Sequence, residues 1–291
     1  MVRCPCCAGD ATTWVDARDR HQGGRHRIQR CLRCGVGFAA EPISQTAAAP
    51  TALPATGLLR RAADAILTAE FRAVIDVTPP GGSILDVGAG SGNRALLLAR
   101  AGHIVSAVEP DAREAEEARR QLGMQATVHQ CPIEDLPATE GPGYDTAVMS
   151  HVLEHLVDAD AALRATRTRL RIGGTLVVMV PNAGGIEARA FRGRWHGWEP
   201  TRHRWHYTAP TLRHVLAGSG YEQIEVRVAG GWRYPATLAF SIAPGLDPQI
   251  ARPGVGRVGR AITMALAPLA VLEVMAGAGP QLVATARRGP G

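Results

Sequence analysis

Ser83-Ile84-Leu85-Asp86-Val87-Gly88-Ala89-Gly90-Ser91-Gly92-Asn93 is a short apolar run that ends in a glycine turn, and helix formers follow from Arg94 to Arg100. Ile84, Leu85 and Val87 predict a buried parallel strand. Glycines at 88, 90 and 92 let the backbone bend sharply and approach a ligand where a Cβ would intervene. The spacing is selective: a dinucleotide fingerprint reads G-x-G-x-x-G, whereas its third glycine place is Asn93 here and the glycines fall as G-x-G-x-G. Next along the chain, Ile104-Val105-Ser106-Ala107-Val108 predicts a second strand. Glu109-Pro110-Asp111 then sets an acid at its carboxyl end, about 20 residues after the turn, where such folds hold a ribose diol. Glu109 is the expected ribose ligand. Asp111 precedes a helix predicted over Ala112–Leu122 and can cap it alone, so Glu109 also reads as a mere neighbour of that cap.

Later runs continue the pattern: 144–150, 170–182 and 281–287 read as strands. An acid-ended strand, then G-x-G-x-G, then a strand leading to Glu109 resembles the class I S-adenosylmethionine (SAM) methyltransferases, of small-molecule type, from about residue 58 to residue 287. That resemblance implies a doubly wound, Rossmann-like α/β fold, with seven strands in the order 3-2-1-4-5-7-6 and the last antiparallel. It places SAM at the carboxyl ends of the strands, against Asp86, Gly88, Ala89, Gly90, Glu109, Pro110, Ile133 and Ser150. Relatives often carry an acid just before the aliphatic residue that packs on adenine. Pro132 stands there in this chain, leaving Ile133 to pack and offer its amide, with Glu134 and Asp135 as nearby carboxylates.

The chain has 291 residues, 46% hydrophobic and 20% charged, enough for one substantial core with a small appendage. Its net charge of +6 admits nucleic acid or an anionic membrane as partner, but all 32 basic residues are Arg and they are scattered. Without any Lys, Walker-type phosphoryl transfer and Schiff-base chemistry are excluded. The N-terminus runs directly into Cys4-Pro5-Cys6-Cys7 with no apolar leader, which predicts a reducing cytoplasmic setting where cysteines bind metal.

Cys4-x-x-Cys7 and Cys31-x-x-Cys34, separated by 23 residues, have the spacing of a zinc ribbon over residues 1–38. Four thiolates would close the metal's shell, so zinc there is structural; Cys6 competes with Cys7 as ligand. Residues 39–57, rich in Ala, Pro and Thr, read as a linker to a methyltransferase domain over 58–291 that opens with a helix at 58–76.

Ser150-His151-Val152-Leu153-Glu154-His155 follows the fourth strand. In the family such a loop lies between SAM and substrate. The same letters read as an inverted zinc-peptidase motif, which the preceding strand argues against. A divalent ion held by His151, Glu154 and His155 is a further expectation. Residues 191–208 contain three of the five Trp and three of the ten His. That density predicts an acceptor-side turn carrying Trp198, Arg202, Trp205, His206 and Tyr207. His203, with His155 as rival, is the expected acid–base or orienting residue. An insertion at about 230–279 contains an apolar stretch, 262–276, broken by Pro268 and Glu273. It reads as a cap helix over the substrate mouth or as a peripheral membrane contact.

The expected function is methyl transfer from SAM to a small organic acceptor in a biosynthetic pathway. An RNA methyltransferase gripping RNA with the ribbon is the alternative, since residues 18–33 carry several Arg and His. A non-catalytic SAM- and zinc-binding protein is the third reading.

Overall fold

The computed structural model describes residues 2–20, 23–40, 71–137, 143–230, 235–246 and 256–290. Its larger sheet has seven strands. Four of them, β4 (Ser83–Val87), β5 (Ile104–Val108), β6 (Ala126–His129) and β7 (Tyr144–Ser150), pair in parallel, and β8 (Leu170–Pro181) extends the parallel set from β7. β11 (Gln281–Arg288) runs antiparallel between β8 and β10 (Tyr221–Ala229), giving the order β10-β11-β8-β7-β4-β5-β6. In order of appearance this is the 3-2-1-4-5-7-6 sheet with its last strand reversed, as expected.

The glycine turn has clear physical causes. Ile84, Leu85 and Asp86 are fully buried, as a central parallel strand requires. Gly88 has φ 68° and sits against Val152, whose Cγ2 would lie 2.6 Å from any Cβ placed there. Gly92, at φ 84°, starts α2 (Asn93–Arg100) where a Cβ would come within 3.1 Å of Ala118 on α3 (Ala112–Leu122). Asp111 caps α3, its carboxylate accepting the amides of Arg113 and Glu114 at 2.9 and 3.0 Å.

Helices cover both faces. On one, α1 (71–77), α2 and α3 bury Phe71, Leu98 and Leu122. On the other lie α4 (Ala159–Arg169) and α6 (Ala209–Gly218), burying Leu163 and Leu212. α4 begins at an Asp158 cap that accepts the Ala161 amide. The first part of the expected helix at 58–76, and the linker apart from Ala39 and Ala40, lie outside the described residues.

The second sheet corrects the picture of an independent appendage. β1 (Ala11–Arg18), β2 (Arg25–Cys31) and β3 (Gly37–Ala39) form an antiparallel ribbon, and its fourth strand is β9 (Trp205–His206), from the far side of the chain. Gly37 pairs with His206 and Phe38 with Trp205. Gly37 is demanded by packing, because a Cβ there would fall 2.6 Å from the Trp14 ring.

Within the insertion, α7 (Pro235–Ile242) packs on α5 (Ile186–Phe191) and on the turn at 196–198, while α8 (Gly256–Met275) packs on α7 and contains Pro268. Among the described residues, no helix is long and apolar enough to cross a membrane.

Candidate active site

Two polar centres occupy the carboxyl edge of the large sheet. The first is the glycine turn. Glu109 leaves β5 buried and accepts the Gly90 amide at 2.8 Å and the Asp111 amide at 2.9 Å. A carboxylate has about four acceptor positions, so capacity remains for a diol. Asp86 is fully buried, and neither carboxylate oxygen has a hydrogen-bond partner. Burial raises its pKa to about 6; the Arg94 guanidinium opposes this and Glu109 adds to it. The hydroxyl of Ser150, at the tip of β7, is likewise buried without a partner. Ala89 and Ile133 are buried around the turn, and Pro110 is exposed beside it. A backbone cradle too tight for side chains, a held carboxylate and orphaned buried oxygens fit the diol and ammonium of SAM.

The second centre is built from β7's exit and residues 196–206. His151 takes φ 56°, unusual for a side chain with a Cβ, and its amide donates to Met179 on β8. Its Nδ1 lies 3.2 Å from Glu154 Oε1. Glu154 is buried and its other oxygen has no partner. Burial works against its charge, but His151, His155 and His203 prevail and hold its pKa near 2. The His155 and His203 Nδ1 atoms each lie 3.0 Å from a carbonyl, of Arg202 and Gly197 respectively. A carbonyl only accepts, so each Nδ1 carries a proton and each Nε2 is left to face elsewhere. Burial lowers the His203 pKa to about 4 against the pull of Glu199, leaving this ring neutral at pH 7.

Ligand atoms of Glu154, His155 and His203 all lie within 4.8 Å of one another. The residue set expected for a divalent cation is therefore corrected: the atoms that could share one ion are those of Glu154, His155 and His203, and His151 instead braces Glu154. His203 and His206 are almost fully buried, whereas His155 is half-buried. Trp205, His206 and Tyr207, expected on the acceptor side, are buried between the sheets. The Trp205 indole donates to the Leu156 carbonyl at 2.8 Å and the Tyr207 backbone carbonyl accepts the Ala183 amide at 2.8 Å, while His206 Nε2 is buried without a hydrogen-bond partner.

The ribbon grips this loop directly, which the sequence did not signal. Arg20, just beyond β1, pairs with Glu199, both nearly buried, and Arg202 pairs with the same carboxylate at 2.9 Å. Burial opposes the Glu199 charge, but His203, Arg20 and Arg202 outweigh it and hold its pKa near 2. Glu199 itself has φ 34°, and Thr201 donates to buried Asp19.

At the ribbon tip, Cys4, Cys7, Cys31 and Cys34 place their sulfurs within 4.8 Å of one another. The Cys4–Cys34 and Cys7–Cys31 separations are 3.7 and 3.4 Å. Tetrahedral thiolates at ~2.3 Å from zinc stand ~3.8 Å apart, so the quartet fits that ion. Although burial disfavours its charge, amides of Cys34 and Arg33 bring the Cys31 thiol down to about 6. Cys7 belongs to the quartet, and Cys6 is exposed outside it.

The methyltransferase-domain family matches residues 57–226. A ubiquinone biosynthesis O-methyltransferase of Xanthomonas axonopodis pv. citri (strain 306) is 32% identical over 107 residues, covering 36% of this chain and 45% of that protein. One of the same name from Methylocella silvestris is 31% identical over 166 residues, covering 52% and 64%. The chain thus spans about half the length of the curated relatives it matches. A SAM-dependent methyltransferase of Thermotoga maritima superposes with a TM-score of 0.52 at 20% identity, covering 77% of this chain and 89% of that one, a likeness of fold. The sheet order, the glycine turn with Glu109 and a family match over more than half of the chain together mean that this protein belongs to the class I SAM-dependent methyltransferases.

Proposed function

We propose that the protein transfers a methyl group from SAM to a hydroxyl of a small organic acceptor, with zinc in the Cys quartet as a structural ion. The observation that carries this reading is the contact between the two centres: Val152, between His151 and Glu154, packs on Gly88 of the turn. An acceptor at the Glu154–His155–His203 cluster therefore adjoins the cofactor cradle. Bound SAM supplies an electrophilic methyl on a sulfonium. Asp86 receives its ammonium and Glu109 its ribose, while Ile133 packs on the adenine. His155, the half-buried ring, accepts the acceptor's proton at Nε2, and ionised Glu154 stabilises the imidazolium that forms. His203 buttresses His155 edge-on, with ring centroids 4.7 Å apart.

The hydroxyl assignment agrees with the O-methyltransferase relatives. It also suits a base placed beside a buried carboxylate. β9 of the same chain closes the β3 side of the ribbon's sheet against the catalytic domain.

His155→Ala should bind SAM normally by calorimetry while kcat on phenolic acceptors falls about 10²–10⁴-fold, with the loss shrinking at high pH as the phenol ionises unaided. Unaltered kcat in this variant would remove the base reading. A second reading rests on the Glu154, His155 and His203 ligand atoms, which fit a divalent cation. Activity lost on chelation and restored by Mg²⁺ or Mn²⁺, with ribbon zinc still present by metal analysis, would favour that reading.

A further inference from the structure

A cavity of about 680 Å³ lies between the ribbon and the domain, beside the segment that carries the second polar centre. Its walls include Trp14 and Arg30 of the ribbon, Asn182 just past β8, and Arg189, Arg192 and Trp198 of the following segment. Three arginines therefore line one space, and among the described residues its lining contains no acid. None of the three is ion-paired among the described residues.

The cavity is constructed rather than incidental. Arg30 stacks over Trp14 at 5.0 Å, and Trp14 meets Trp198 edge-on at 5.3 Å. Arg189 is fixed by two bonds to the Gly184 carbonyl, at 3.1 and 2.8 Å. Arg192 is held at φ 49°, a conformation that favours glycine, because its carbonyl accepts the Trp198 indole at 2.6 Å and the Trp195 amide at 3.1 Å. Its neighbour Gly193 presses on β1 so closely that a Cβ would fall 2.2 Å from the Asp16 carbonyl oxygen.

We propose that this cavity binds an oxyanion, carboxylate or phosphate, carried on a planar apolar body, and that it anchors the distal end of the methyl acceptor. The indoles supply apolar contact and stacking for the body; the guanidiniums supply forked donors for the anion. The volume lies within the usual range for small-molecule sites. Reach is adequate: Ser150 pairs with Met179, and Asn182 is three residues further along, ~10 Å at ~3.3 Å per residue. The acceptor role rests on the methyl-transfer reading, whereas the binding site does not.

Calorimetry of the full chain tests the two separately, with phenyl phosphate, benzoate and the neutral benzyl alcohol as probes. One or both anions should bind and benzyl alcohol should bind at least tenfold more weakly, the better anion naming the headgroup. Arg30→Ala and Arg192→Ala alter exposed side chains and should each weaken the anion about tenfold or more while leaving SAM affinity unchanged. Glu109→Ala should weaken SAM and leave phenyl phosphate untouched. Absence of anion binding at millimolar concentration, or equal binding of benzyl alcohol, overturns the site. Anion binding by a protein that does not bind SAM would instead overturn the methyl-transfer reading and leave the site standing.

Discussion

At one end of the carboxyl edge, Glu109 is held by amides 19 and 2 residues away, and Asp86, Gly88 and Gly90 belong to one strand and its turn. A few residues across the sheet, His203 is held by Gly197 and faced by Glu154 and His155, and its loop is tied through Glu199 to Arg20, just beyond β1 of the ribbon. The first centre is written in a short window and made largely of backbone. The second is assembled from three distant segments through side chains. A local centre should tolerate change elsewhere, and an assembled one should report it.

The largest expected effect follows from that contrast. Cys31→Ser should remove zinc from a quartet whose ion is typically worth about 10 kcal/mol or more to small zinc modules at neutral pH. Metal analysis should fall from about one zinc per chain, and kcat should collapse with the loss of β3 as partner for β9. SAM affinity should stay within about twofold, as for distant independent sites. Equal loss of SAM binding would erase the distinction between the centres.

Arg20→Ala is the subtler break. Removing one partner of a buried pair costs about 3 kcal/mol, less here in proportion to what Arg202 recovers. Glu199 titrates below its ordinary 4.5, so its contribution is present above that pH and lost as the pH falls toward 2. The stability gap between wild type and variant, read from thermal melts, should therefore narrow below about pH 4.5. A gap independent of pH would show that Arg20 acts by packing alone.

The smallest effect belongs to the local centre. Glu109→Ala should weaken SAM by about 1–3 kcal/mol by calorimetry, with kcat at saturating SAM nearly unchanged. Unaltered affinity would remove Glu109 from the cradle and leave it as a brace for Gly90 and Asp111.

These constructions also explain what could be read from the chain alone. The central strands, the glycine turn and the α3 cap follow from windows of about a dozen residues, where apolar runs, glycines and an N-cap acid each have one good conformation, whereas the strand order comes only with the family resemblance. β9 could not be read this way. Trp205 and His206 are too few to show a period, and they are extended because Gly37 and Phe38 lie beside them. The aromatic density of residues 191–208 was a true signal of an unusual segment, yet most of it serves packing: Trp205, His206 and Tyr207 close the space between the sheets, and Trp198 walls the cavity. Arg20 carried no signal at all, being one arginine among 32. α4 carries a weaker signal than α3, because beyond its Asp158 cap an Ala- and Arg-rich run has little apolar contrast.

The two residues of β9 also set a timetable. As the chain emerges from the ribosome, the ribbon comes first, but its sheet then ends at β3, an open edge carrying Phe38. The strand that closes this edge is not synthesised until most of the large sheet has emerged, and β11, which completes that sheet, comes later still. Closing the ribbon and assembling the histidine cluster are then one late event, and a chain lacking residues before 41 would expose Trp205 and His206 on a strand that has lost its β3 partner.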